Sequence, residues 1–261
     1  RALAEWIVNG YPTLDLSGMD PARCEPFQAR DRYLQARCPE TLVRTYAMHW
    51  PNYQRETARS IRRTPFYHRL REQGACFTET QGWERPGWYA PEGITPQYDY
   101  SFGRQNWFEY ALDEQRAARE RVAIVDYSML GKISVEGVGA EAFLQRVCTN
   151  NMAMACGRIA YTLLLNERGG IESDVTVARY ADDHFMVMSS IARTRRDYLW
   201  LAALIEPEEQ VKLRDETASL GVLGVMGPQS RALMTAVTDL DVTNEAFPFN
   251  RFYECHIGHA K

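Results

Sequence analysis

Three groups of residues have types and spacings that could do chemistry. Residues 137–142 read Gly-Val-Gly-Ala-Glu-Ala, a G-x-G-x-x-A pattern. Such glycines cradle a pyrophosphate when they follow a strand, open a helix and lead into a crossover to a parallel strand. Here the next strand ends in Arg168-Gly169-Gly170, which predicts a hairpin instead, and the nearest acid, Glu167, lies 25 residues beyond Ala142. The expectation is a tight strand-to-helix turn and no dinucleotide. The second group is Arg55, Arg59, Arg62 and Arg63, which recur at helical spacing. They predict a solvated helix face, with a docking face for a neighbouring domain or an anionic cofactor as the alternative. The third is six cysteines, at 24, 38, 76, 148, 156 and 255, none in a CxxC pair and with only five histidines beside them. That is poor material for a zinc site, and reduced thiols in a cytosol-like compartment are expected.

The elements that must position any site fall into two textures. Residues 1–100 are rich in Arg, Pro and aromatics; residues 101–261 alternate clean strand and helix patterns. These define a smaller α+β middle region and a second domain. In the first, a short helix is predicted over residues 3–8, ended by Gly10 and Pro12. Helical stretches near 29–36 and 40–48 are expected to break at Pro39 and Pro51, and 53–72 to be helical apart from an interruption at Pro65. Residues 75–100 read as strand and irregular loop, with Trp83, Trp88, Tyr89, Tyr98 and Tyr100 as packing residues.

In the second half a helix is predicted over 107–122, a strand over 132–136, a helix over 140–147, and a strand over 160–166. Glu167-Arg168-Gly169-Gly170 turns the chain back, since Gly supplies positive φ. Strands over 171–179 and 184–189, a helix over 194–205, strands over 211–215 and 220–226 and a helix opening at Gly227-Pro228 follow. A last strand is expected to start at Arg251. Paired strands joined by a hairpin and separated by helices are the ferredoxin-like α+β pattern of βαββ-type units with a mixed or antiparallel sheet.

Bulk properties exclude some partners. Of 261 residues, 45% are hydrophobic and 25% charged, with a net charge of −4. That suits an ordinary core and gives no footing for nucleic acid. No apolar run approaches the ~18–20 residues that span a bilayer, so no membrane partner is expected. The opening RALAEWIVNG, without Met and inside a helical pattern, and the closing RFYECHIGHAK read as cuts in a longer chain.

The run GRIAYTLLLNERGGIESDVTV, residues 157–177, resembles the glycine cleavage T-protein and its relatives. So do, in order and at matching spacing, Asp126-Tyr127-Ser128, Gly131-Lys132, Ala142-Phe143-Leu144, Thr149-Asn150, Arg196-Asp197-Tyr198-Leu199-Trp200 and Gly224-Val225-Met226-Gly227-Pro228-Gln229-Ser230. This resemblance covers roughly residues 100–250. The preceding GWERPGWYAPEG and NWFEYALDEQRAARE, with the opening AEWIVNGYPTLDLSGMDPAR, look like the dimethylglycine/sarcosine dehydrogenase group.

That resemblance implies a T-protein-like folate-binding domain over 101–261, truncated, after a middle region over 1–100. An FAD domain in cis, absent from this sequence, would oxidise a small methylated amine. The part present would bind tetrahydrofolate and take up the released one-carbon unit, so alone it should not carry out the oxidation. The alternatives are a folate-binding or interface module without its own chemistry, or a T-protein-like aminomethyltransferase or demethylase. A bacterial cytoplasm, or the mitochondrial matrix in a eukaryote, is the implied compartment. Asp174 matches the family's carboxylate beside the folate nitrogens, where it could accept N–H bonds and relay a proton. Tyr161 matches a folate-contacting tyrosine. Ser190 stands where the T-protein carries an Asn after its fourth strand; its shorter hydroxyl would leave that pterin contact missing or bridged by water. Glu172 and Asp215 are expected to be surface acids.

Overall fold

A computed structural model describes residues 1–259. In chain order its helices are α1 (Ala2–Asn9), α2 (Asp31–Tyr46), α3 (Tyr67–Glu72), α4 (Phe108–Glu120), α5 (Ala140–Val147), α6 (Thr194–Ala203) and α7 (Ser230–Val237). The strands are β1 (Arg62–Arg63), β2 (Ala75–Thr80), β3 (Trp83–Tyr89), β4 (Ala123–Asp126), β5 (Gly131–Glu136), β6 (Ile159–Leu165), β7 (Ile171–Ala181), β8 (His184–Ser189), β9 (Lys212–Asp215) and β10 (Leu223–Met226).

The second half is built on a five-stranded sheet in the order β6-β7-β8-β5-β9, every pair antiparallel. Reading β5-α5-β7-β8-α6-β9 gives the ferredoxin-like βαββαβ arrangement, with β6 added by a hairpin at one edge. The α+β expectation therefore holds. Strand alternation explains the layering. Ile133, Val135, Leu164, Val175, Val177, Phe185 and Val187 point to one side and form the core with Phe143, Leu144 and Val147 of α5 and Leu201 of α6. Lys132, Ser134, Asp174, Thr176 and Tyr161 alternate with them and belong to the opposite face.

The Gly-Val-Gly-Ala-Glu-Ala turn has a packing reason. Gly137 sits at φ +125°, and a Cβ there would lie 2.0 Å from the Gln210 carbonyl oxygen; one at Gly139 would lie 3.3 Å from the Gln210 nitrogen. The glycines let the chain before β9 press against the start of α5.

The first half differs most from its sequence pattern in the chain that follows α2. Residues 53–61 are not helical. The backbone N–H groups of Glu56, Thr57 and Ser60 are claimed by carboxylates instead of by carbonyls four residues back. Glu40 of α2 accepts from the nitrogens of Glu56 (2.8 Å) and Thr57 (3.1 Å), from Tyr53 Oη (3.1 Å) and from the Thr57 hydroxyl. Glu84 of β3, 2% exposed, accepts from the Ser60 nitrogen at 2.6 Å. The arginines are not a solvated helix face. Arg59 grips Glu84 with Nε at 2.8 Å and a second guanidinium nitrogen, and Arg62 holds Glu25 in two parallel bonds of 2.9 Å. Such bidentate pairs are the strong kind.

Pro39 does not break α2, which runs through it. One missing amide donor is tolerated where Arg37 and Glu40 fasten the middle of the helix, Arg37 through Glu79 at 3.2 Å and Ala58 O at 3.4 Å. Trp83 and Trp88 are core residues, and Trp88 stacks on Tyr110 of α4 at 5.6 Å. The expected strand at Arg251 is a single bridge to Arg158. The structure adds β4, four residues long and too short to show an alternation; it pairs with β10. Thr64 donates to Asp126 at the end of β4 at 2.5 Å, tying the two halves together.

Two tests follow from this packing. Gly137→Ala should destabilise the fold by about 2–3 kcal/mol in urea unfolding, because both positive φ and backbone contact oppose a Cβ. For Glu40, burial pushes its carboxyl up, but the hydrogen bonds from Thr57, Glu56 and Tyr53 outweigh that and lower it from 4.5 to about 2. A depressed carboxylate contributes stability above its unfolded value that is lost as pH falls through its folded value. Glu40→Gln should thus lower stability at neutral pH and flatten the acid limb between about 4.5 and about 2; an unchanged acid limb would remove Glu40 from this role.

Candidate functional site

The β6–β7 hairpin sets the geometry. Asn166 folds its turn: its Oδ1 accepts from the nitrogens of Arg168 (3.0 Å) and Gly170 (2.9 Å), and Gly169 takes φ +75°. The ladder then pairs Tyr161 with Thr176 and Leu163 with Asp174. Tyr161 and Asp174 are diagonal neighbours on the same face, within reach of an aromatic side chain. The Tyr161 hydroxyl donates to Asp174 Oδ2 at 3.1 Å, and both residues are exposed, Tyr161 to 63%. No other protein donor reaches the Asp174 carboxylate among the described residues, so its second oxygen is open to a ligand. The nearby carboxylate raises the Tyr161 phenol above its usual 10.0, mainly through that hydrogen bond.

The edge of β6 is also held. Thr149 exchanges bonds with Leu163, its nitrogen to the Leu163 oxygen at 3.0 Å, and Asn150 Nδ2 donates to the Tyr161 oxygen at 3.0 Å. Thr149-Asn150 therefore fixes the backbone from which Tyr161 projects.

Ser190 follows β8. The last β7–β8 pair before it is Thr176 with Met188, and that register extended by two residues on each strand sets Ser190 across from Asp174. Its carbonyl accepts from the nitrogens of Arg193 and Thr194, each at 3.0 Å, opening α6, while its side chain is exposed. The three residues singled out in the sequence thus come to one end of one sheet face, with a direct bond between two of them.

Asp197 of α6, 1% exposed, lies beneath that end. Its Oδ2 accepts from Ser173 Oγ at 2.7 Å and from Ser189 Oγ at 2.5 Å. Burial raises its carboxyl above the ordinary range, and the two hydroxyls offset this only in part. The sequence marked Asp197 only as part of a run; nothing in its spacing tells that it reaches across to two strands.

Glu172 is not a surface acid. The ladder slips between Leu164 and Leu165, so Glu172 is the unpaired residue of a bulge, a device that re-aims a side chain. Glu172 turns to Arg196 at 2.5 Å and receives Asn166 Nδ2 at 2.7 Å. Burial pushes its carboxyl up, but these partners hold it below the usual value. Asp215 is exposed, as expected. A cleft of about 790 Å³ opens between the chain around Tyr11–Asp20 and the hairpin with α6; Glu172, Asp174, Arg196 and Trp200 are among the residues that line it. Tyr161 and Ser190 are not in its lining, so Asp174 stands where the cleft meets the open sheet face that carries the other two.

All six cysteines are free thiols, and burial pushes Cys148 up to about 12. Among the described residues no group of three His, Cys, Asp or Glu is placed to hold a metal, and no helix is long and apolar enough to cross a membrane.

Helices packed on one side of an antiparallel sheet in this order define a ferredoxin-like α+β domain. The chain belongs to the family described as GCVT N-terminal domain, whose model matches residues 66–261. A second model, FAD dependent oxidoreductase central domain, matches residues 9–64. The chain is 40% identical to 4-methylaminobutanoate oxidase (formaldehyde-forming) of Paenarthrobacter nicotinovorans, covering 100% of this chain and 32% of that protein. It is 30% identical to human mitochondrial sarcosine dehydrogenase, covering 96% of this chain and 32% of that protein. It therefore spans about a third of the length of these relatives. The glycine cleavage system aminomethyltransferase T from Bartonella henselae shares the fold, at a TM-score of 0.56 and 23% identity over 74% of this chain and 47% of that one.

The Tyr161–Asp174 bond has a direct readout. In Asp174→Asn, the Tyr161 phenol should titrate closer to 10.0, followed by NMR of labelled tyrosine with Tyr161→Phe to assign the signal. An unmoved phenol would mean the bond does not form in solution.

Proposed function

We propose that this chain is the middle and folate-binding part of a flavin-dependent oxidoreductase that demethylates a small methylated amine. In this reading Asp174, with Tyr161 and Ser190, receives a reduced folate. The tandem of family matches and the printed activities of the relatives support the enzyme class. The observation that carries the site is the exposed Asp174 carboxylate, held at one oxygen by Tyr161 and free at the other.

The residues suit a folate. Tetrahydrofolate, when bound, supplies the amine nitrogens that take up a one-carbon unit. Asp174 offers an ionised acceptor for an N–H and a counter-charge for a cationic one-carbon group. Tyr161, through its hydroxyl, holds Asp174 on the open face. Ser190 adds a short hydroxyl across from it. The flavin is not assigned to this chain's own glycine turn, where the Gln210 backbone packs against Gly137. It would be held by a separate FAD domain in cis. A mitochondrial matrix in a eukaryote, or a bacterial cytoplasm, is the matching compartment.

Calorimetric titration of 5-formyl-tetrahydrofolate into the chain and into Asp174→Ala tests this. Losing a hydrogen bond to a charged group costs about 1.5–3 kcal/mol, so affinity should fall about 10- to 150-fold. Equal binding by the two proteins would sink the assignment of Asp174 and leave the family membership standing.

A further inference from the structure

The geometry points to Asp197 as a positioning residue that sets the spacing and direction of Asp174 and Ser190 from beneath the sheet. This rests on the folate reading for its consequence, but the spacing itself is a property of the fold.

The β7–β8 ladder has its last pair at Thr176 and Met188. Asp174 and Ser190 each lie two residues past that pair, beyond the β7–β8 ladder, Asp174 paired only with β6. Something else must fix their separation. Ser173 and Ser189, the residues immediately before them, turn inward and are 4% and 3% exposed. Both donate to one oxygen of Asp197, at 2.7 Å and 2.5 Å. A single buried carboxylate thus replaces the missing rung. Because neighbouring side chains on a strand point to opposite faces, pinning Ser173 downward directs Asp174 upward.

The clamp is anchored in turn. Asp197 sits in the first turn of α6, whose start is folded by the Ser190 carbonyl accepting from Thr194 Oγ1 at 2.9 Å as well as from the backbone. Arg193 and Arg196 on the same turn reach the Glu172 carbonyl, the latter at 3.2 Å. The helix is therefore tied to both strand ends, and a buried carboxylate bonded by two hydroxyls is rigid where a backbone rung would leave the ends to fray. Other acids near the sheet lack this geometry: Glu172 is spent on Arg196, and Asp215 is exposed on β9.

The experiment compares Asp197→Ala, Asp197→Asn and the pair Ser173→Ala with Ser189→Ala in the full chain. Two quantities are read: the Tyr161 titration and 5-formyl-tetrahydrofolate affinity, each also measured with Asp174→Ala present. Asp197→Ala should move the Tyr161 phenol toward 10.0 and weaken the folate about tenfold, with no further weakening once Asp174 is gone, as coupled neighbours behave. Asp197→Asn, which keeps an acceptor oxygen, should restore part of both. If Asp197→Ala does not fold, the double serine variant must give the same two shifts. A folded variant with unchanged Tyr161 titration and unchanged affinity overturns the inference. A moved phenol with folate binding that ignores Asp174 overturns the folate reading and leaves Asp197 as the clamp.

Discussion

The register of β6 against β7 decides which side chains reach the open face. Side chains alternate along a strand, so a slip of one residue would send Tyr161 and Asp174 into the core and bring Thr162 and Val175 out. Two features prevent the slip. Asn166 and Gly169 close the hairpin in one conformation, and Thr162, Leu164, Val175 and Val177, each 2% exposed or less, belong to the buried side. The bulge at Glu172 uses up one residue between turn and ladder. It thereby sets the parity that places Asp174 outward and frees Glu172 to meet Arg196.

The sheet is apolar on the side that α5 and α6 cover, and that coverage supplies the hydrophobic stabilisation. The other side is free to hold polar groups, and it does so unevenly. Toward β5 it closes over Lys132, 3% exposed, whose ammonium donates to the Ser128 and Leu130 carbonyls at 2.8 and 3.0 Å. Burial lowers its pKa. Toward β6 the face opens, and there the tyrosine and the carboxylate stand. A ligand needs that opening, and the fold can offer it because its main apolar cluster lies on the far side.

The first half is organised by charge as much as by apolar burial. Glu25, Glu40, Glu79 and Glu84 are each met by an arginine, and several also take backbone N–H groups from the chain between α2 and β1. Breaking one partner of such a buried pair is costly, so this network holds one conformation. It also explains why arginines at helical spacing form no helix. Their periodicity was coincidental, and the carboxylates that claim them come from distant positions.

The sequence by itself determined the second domain. Its hydrophobic alternation, turn residues and ordered motifs gave β5 to β10, α5, α6, the hairpin and the α+β class, because those signals are local; β4 and the single bridge at Arg251 they did not give. It also placed Tyr161 and Asp174 on one hairpin, where thirteen residues and a turn suffice to bring them together. Only the tertiary structure decided the rest. Pro39 stays inside α2 because other elements fasten that helix. Residues 53–61 leave the helical state because Glu40 and Glu84 compete for their amides. The turn at Gly137 is glycine because Gln210 packs there. Asp197 lies beneath the site because α6 folds back under two strands. Each of these depends on a partner far away in the chain, and periodicity carries no record of which distant group will arrive.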